Sequence, residues 1–271
     1  ITIRSGVFEN VYGGGRDKKV ANASVNVTGG TVKSLYRGMK GDNGKPTGKA
    51  ELTVGNAVSE LAIDNIYNFD QVNIAQDAEV TVSGKLNYRQ SDTLDYQGKL
   101  VLGAGSTLRF LEADNRVGTL GITAGTAELL LKRTGSGIVT TPLVLDDANV
   151  PLDVRHGAAI RLGYSGTEPA QINDILLRFT QKDRATTEGI EAGSTIQGGL
   201  MADTDDGTVG LGYPVSLSVN GGQHTYYESV ADALGTVSTG NSYELAVRKE
   251  GYRLTAKELE AIKNSGSTAT K

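Results

Sequence analysis

Four aspartates, Asp64, Asp70, Asp92 and Asp95, are interleaved with four aromatic residues, Tyr67, Phe69, Tyr88 and Tyr96. Two carboxylates facing one another across a groove can cleave a glycosidic bond, one as acid and the other as base or nucleophile. Aromatic rings beside them would supply flat surface for sugar rings. Spacing alone puts none of these side chains on a common face. The four aromatics are therefore candidate binding residues and no catalytic residue is assigned.

The other reactive types are sparser. Asp203-Thr-Asp-Asp-Gly207 gathers carboxylate oxygens that could hold calcium, and Asp203, Asp205 and Asp206 are the weak metal candidates. Their spacing departs from the calcium loop of an EF-hand and no Glu closes it. Asp and Gly are turn formers, so a solvated turn is the better reading and no metal is expected. Asp146-Asp147 has less support still. The two histidines, His156 and His224, lack other ligating residues at metal spacing. No Gly-x-Ser-x-Gly elbow supports a nucleophilic serine. The chain has no Cys, which removes disulfides, thiol nucleophiles and Cys-ligated zinc. No cofactor is implied.

The elements that must position these residues follow a repeat. Ile1–Gly14 is echoed by Val25–Gly38 at a constant offset of 24 residues: Ile3 matches Val27, Gly6 matches Gly30, Val11 matches Leu35 and Tyr12 matches Tyr36. A period of this size points to stacked coils, each contacting only its neighbours. Looser repeats follow, with apolar-x-apolar openings at Leu52, Val72, Leu100, Leu120 and Leu143 and a mean spacing close to 24. Each unit reads as a strand, a corner of small residues and a second strand. At about 3.3 Å per residue, a unit has contour enough for three short strands and three corners. Tyr12 and Tyr36 share one repeat position and are expected to stack. The segments 37–49 and 87–98 read as long corner loops, where side chains are free to bind.

The expected architecture is mainly β: a parallel β-helix of seven to eight coils over residues 1–180, an irregular last coil and linker over 181–212, and a small α/β module or cap over 213–271. In the last segment Val215–Val219 alternates as a strand. Asn220-Gly221 is a hairpin signal, because both residues tolerate positive φ. Glu228–Leu234 reads as a short helix and Tyr243–Val247 as another strand. Thr255-Ala-Lys-Glu258 is a capping box that opens a helix over 256–263, with Leu254 and Leu259 at the staple positions.

Composition narrows the function classes. There are 36 glycines among 271 residues, no Trp and only 6% aromatics, which suits many short strands. A net charge of −4 argues against nucleic-acid binding, which would show a basic stripe. No apolar run approaches the ~18 residues of a membrane helix. Residue 1 lies inside a repeat, so the chain is expected to be an internal piece of a longer protein.

The stretch Ile1–Gly15, with its Gly-Val-Phe corner and Val-Tyr-Gly-Gly-Gly ending, resembles the β-helical repeats of large Gram-positive surface proteins. His224–Leu234 is similar to a module of such proteins in which an Asn-Gly hairpin precedes a Tyr-x-Ser-Leu helix; here Val230 takes the Leu place. The resemblance implies a right-handed parallel β-helix and an extracellular location on the bacterial cell surface or cell wall. It also implies a non-catalytic role in adhesion or as a stalk, and a host glycan or extracellular-matrix protein as partner. The chain contains no sortase motif of the Leu-Pro-x-Thr-Gly kind. The alternative is a polysaccharide lyase or glycoside hydrolase on the same scaffold.

Overall fold

The computed structural model describes residues 1–14, 21–38, 48–86, 98–133, 142–167, 174–196, 199–212, 215–222, 225–227, 229–238, 240–247 and 253–265. It is mainly β, with 49% strand and 8% helix.

Strands from successive repeat units sort into three sheets. The first sheet takes β1 (Thr2–Ile3), β3 (Ala23–Val27), β5 (Ala50–Val54), β7 (Gln71–Ile74), β9 (Lys99–Leu102), β12 (Thr119–Ile122) and β15 (Leu152–Val154), in that order. The second takes β2 (Val7–Tyr12), β4 (Thr31–Tyr36), β6 (Leu61–Tyr67), β8 (Glu79–Val82), β10 (Thr107–Phe110), β13 (Thr126–Leu131), β16 (Ala159–Tyr164) and β18 (Ile190–Ala192). Every pairing in these two sheets is parallel and joins a strand to its counterpart one unit away. This is compatible with a β-solenoid, and neither sheet closes into a barrel.

Alternation decides which side chains enter the core. Leu52 and Val54 pair with Val72 and Ile74, which pair with Leu100 and Leu102, and those with Leu120 and Ile122. All eight are buried. The result is two apolar ladders facing the matching ladders of the second sheet, such as Val80, Leu108, Leu129 and Leu162. Each such side chain contributes roughly 1.5–3 kcal/mol on burial. Close stacking also constrains the corners. A methyl on Gly30 would run into the carbonyl of Gly6 in the unit before it, and Gly30 holds φ at 86°. Only glycine combines that conformation with that approach.

The third sheet contains β11 (Asn115–Val117), β14 (Leu143–Leu145), β17 (Ile175–Phe179), β20 (Thr208–Gly212) and β19 (Gly199–Asp203). Its first three strands are parallel, but β17 pairs antiparallel with β20, and β20 with β19. Two expectations change here. Leu143 does not open a unit of the first sheet: Leu152 is the partner of Leu120, while Leu143 pairs with Asn115. Segment 181–212 is not a linker. A 3₁₀ turn at Lys182–Arg184 leads into β18, and Ala185, Ile190, Ile196, Val209 and Leu211 are buried in the main core.

The C-terminal unit has its own core. β21 (Val215–Val219) lies between β22 (Thr225–Tyr227) and β23 (Tyr243–Val247), packed with α1 (Val230–Leu234) and α2 (Ala256–Asn264). The hairpin turn carries positive φ at Asn220 and Gly221, 52° and 70°. The capping box forms as expected: Thr255 Oγ1 accepts from the Glu258 amide, and Glu258 accepts from the Thr255 amide. Leu254 and Leu259 remain exposed rather than closing a staple. Among the described residues, no helix is long and apolar enough to cross a membrane.

Candidate functional site

The aromatic residues named as binding candidates separate in the structure. Parallel register places Tyr12, Tyr36 and Tyr67 side by side at the ends of β2, β4 and β6. Their rings stack with centroids 5.0 Å and 4.7 Å apart and planes 15° from parallel in both pairs. Tyr67 therefore joins the ladder expected of Tyr12 and Tyr36 alone. Phe69 is completely buried and offers no surface to a ligand. Tyr88 and Tyr96 lie outside the described residues, as do Asp92, Asp95, His224, positions 39–47 of the first candidate loop and positions 87–97 of the second.

The carboxylates are engaged by the fold. Asp70 Oδ1 accepts from the Arg37 guanidinium at 2.7 Å, and its Oδ2 accepts from the Ala50 amide at 2.6 Å. Arg37 also donates to the Gly48 carbonyl at 3.0 Å. This clamp ties the end of β4 to the starts of β5 and β7, directly beside the tyrosine ladder. Asp64 Oδ1 accepts from Ser83 at 2.6 Å. On the outward face of the same strands, Lys33 pairs with Glu9 at 3.1 Å. The hydrogen bond and charge of Glu9 raise the Lys33 pKa, and Asp64 adds a smaller push in the same direction.

Asp203, Asp205 and Asp206 form a turn. Asp203 Oδ1 accepts from the amides of Asp205 at 2.9 Å and Asp206 at 3.1 Å, closing the β19–β20 hairpin. No cluster of three metal-ligating side chains occurs among the described residues. Asp147 similarly caps a turn, accepting from the amides of Val150 and Asn149, which hold its carboxyl below the usual range. His156 is exposed on a turn next to Gly157.

Outward positions of the first sheet form a second ordered surface. Thr2, Asn26, Thr53 and Asn73 lie in register on adjacent strands, and Gln71 donates to Asn73 at 2.7 Å. Adjacent strands are about 4.8 Å apart, so the face repeats short hydroxyl and amide groups at a fixed interval. In the C-terminal unit, an open groove of about 430 Å³ is lined by Leu234, Val237, Tyr243, Lys257 and Ala261, among others.

The Tyr67 position had a readable signal. Phe8-Glu-Asn-Val-Tyr12, Val32-Lys-Ser-Leu-Tyr36 and Ile63-Asp-Asn-Ile-Tyr67 are three copies of one pattern: apolar, charged, small polar, apolar, tyrosine. The third copy sits 31 residues after the second, which hides it from a search at 24.

No family model, curated protein or solved structure matches this chain.

Proposed function

We propose that this chain is a right-handed β-solenoid segment of an exported bacterial surface protein, serving adhesion or acting as a stalk. The observation that carries the reading is the register of the two long parallel sheets, in which each strand pairs with its counterpart one repeat away. A stack of this kind is stiff along its axis and repeats its outward side chains at a fixed interval, properties suited to a spacer or an extended binding face. The likeness of Ile1–Gly15 to Gram-positive surface repeats supports the cellular setting. Asp64 and Asp70 are held by Ser83, Arg37 and the Ala50 amide, which favours a non-catalytic face over a cleaving one.

The ordered surface beside the Tyr12–Tyr36–Tyr67 ladder and the Thr2–Asn73 row is the proposed contact region for a host glycan or matrix protein. Binding of the 271-residue chain to an array of glycans and matrix proteins tests this. Saturable binding that weakens in Thr53→Lys supports adhesion through the polar row. An array without a binder leaves the stalk role. Release of new reducing ends or unsaturated sugars from any glycan overturns the non-catalytic reading. Small-angle scattering of a compact sphere overturns the solenoid.

A further inference from the structure

Three tyrosines on adjacent units are held as one array. Tyr12, Tyr36 and Tyr67 share a register position at the ends of β2, β4 and β6. Their ring centroids are 5.0 Å and 4.7 Å apart, with planes 15° from parallel. Parallel strands in register send the three side chains out in the same direction, so the ring carbons beside one hydroxyl face those beside the next. Free phenols reach that pose only by chance encounter. Here the backbone holds it, and fixed proximity raises the rate of a reaction between two groups by orders of magnitude.

The rings are within reach of solvent and have few rivals for an oxidant. Tyr12 is 38% exposed, and Tyr36 and Tyr67 are half-buried at a corner of the stack. Tyr164, by contrast, is 2% exposed and donates to Asp174. The chain has no Cys and no Trp. Thiolates are the usual trap for oxidants, and without them, or an indole, tyrosine is the readiest one-electron donor among the side chains. The two methionines take up oxygen in a separate reaction, as sulfoxides.

We infer that the Tyr12–Tyr36–Tyr67 ladder is an oxidative modification site, at which Tyr36 becomes joined to Tyr12 or to Tyr67 by a dityrosine carbon–carbon bond. The co-reactant is hydrogen peroxide acting through a peroxidase-type one-electron oxidant. Each phenol gives up one electron and its hydroxyl proton. The two radicals couple at carbons ortho to their oxygens. The hydrogens on those carbons then move to the oxygens, which restores both aromatic rings and both hydroxyls. Two hydrogens leave the protein in all, and one hydrogen peroxide takes them up as two waters. The new bond closes a loop of 24 residues to Tyr12 or 31 to Tyr67 and ties one repeat unit to the next.

Oxidation of the dilute 271-residue chain by a haem peroxidase and hydrogen peroxide tests this. Dityrosine fluorescence is expected in a product that still runs as a single chain on a denaturing gel. Its digest should contain a peptide pair that joins Tyr36 to Tyr12 or Tyr67 and lacks two hydrogens. The oxidised chain should unfold at a higher urea concentration than the untreated one, because the crosslink restricts the unfolded state. Tyr36→Phe keeps the stacked ring but removes the phenol common to both pairs, and most of the intrachain fluorescence should go with it. Tyr12→Phe/Tyr67→Phe, which leaves Tyr36 without a phenol neighbour in the ladder, should lose it too. Oxidation of the chain already unfolded in urea should give little of the same peptide pair. No dityrosine, dityrosine only between chains, crosslinks confined to other tyrosines, or a yield unchanged in both variants would each overturn the proposal.

Discussion

Arg133 holds Asp174 by two hydrogen bonds, from Nε at 2.6 Å and from a terminal nitrogen at 3.1 Å. The Asp174 side chain is 1% exposed, and the Tyr164 hydroxyl donates to it at 3.2 Å. The Leu211 amide donates to the Asp174 backbone carbonyl at 2.8 Å. This polar knot therefore sits where the third sheet turns from parallel to antiparallel.

Asp174→Ala leaves the Arg133 guanidinium in a buried site without its carboxylate. Breaking a buried pair from one side costs about 3–5 kcal/mol, far more than an exposed pair. Urea denaturation is expected to show that loss. The double variant Arg133→Met/Asp174→Leu should recover much of it, because no charge remains to be desolvated.

Burial pushes the Tyr164 phenol well above its ordinary pKa of 10.0, and the Asp174 charge adds to the shift. A folded pKa above the unfolded one stabilises the fold fully below the ordinary value and loses that contribution as pH rises toward the folded one. In a spectrophotometric titration, one of the eleven tyrosines is expected to stay protonated until the chain unfolds in alkali. Tyr164→Phe should remove that late step.

Tyr36 stacks on two rings and Tyr12 on one. Each stacked pair contributes about 0.5–1.5 kcal/mol beyond its area. Thermal melts of Tyr36→Ala and Tyr12→Ala should therefore differ, with the Tyr36 variant losing roughly twice the stacking energy plus the larger burial term.

Asp147 gives the opposite pH sign. The Val150 and Asn149 amides lower its pKa below the ordinary 3.8. Its stabilisation is present above that value and is lost as pH falls through the folded one. Asp147→Ala is expected to cost roughly 0.5–1 kcal/mol at neutral pH, a modest loss because the turn faces solvent. The difference between the two proteins should vanish in strong acid.

Glu258 links the two helices of the C-terminal unit. The residue is 3% exposed, and its carboxylate accepts from the Val230 amide at 3.1 Å, the Thr255 amide at 2.7 Å and the Thr255 hydroxyl at 2.8 Å. Glu258→Ala should weaken both helix starts, at roughly 1–3 kcal/mol. Hydrogen exchange should report faster opening of α1 and α2, with β5 and β9 unaffected because they lie in the other core.

Local patterns carried much of this fold. The 24-residue echo marks β1 to β4, and the Asn220-Gly221 turn and Thr255/Glu258 box mark the C-terminal unit because each is a short-range interaction. Leu143-Val-Leu145 shows where that reading ends. Alternation tells which side chains point inward, but the same apolar-x-apolar triplet serves the first sheet in β9 and the third in β14. Phe69 is buried for a reason its neighbours do not reveal: an aromatic beside a carboxylate reads the same whether it faces solvent or core. The Arg133–Asp174 pair spans 41 residues, and no local pattern announces it.

The antiparallel closure of β17 by β20 has a consequence for how the molecule can grow. A parallel stack is its own template: each completed unit presents the hydrogen-bond spacing on which the next was laid. An antiparallel strand breaks that copying, because its bonds alternate between narrow and wide pairs instead of running evenly. The β19–β20 hairpin therefore ends the parallel run of the third sheet at β17, whereas the first two sheets keep their even spacing out to β15 and β18.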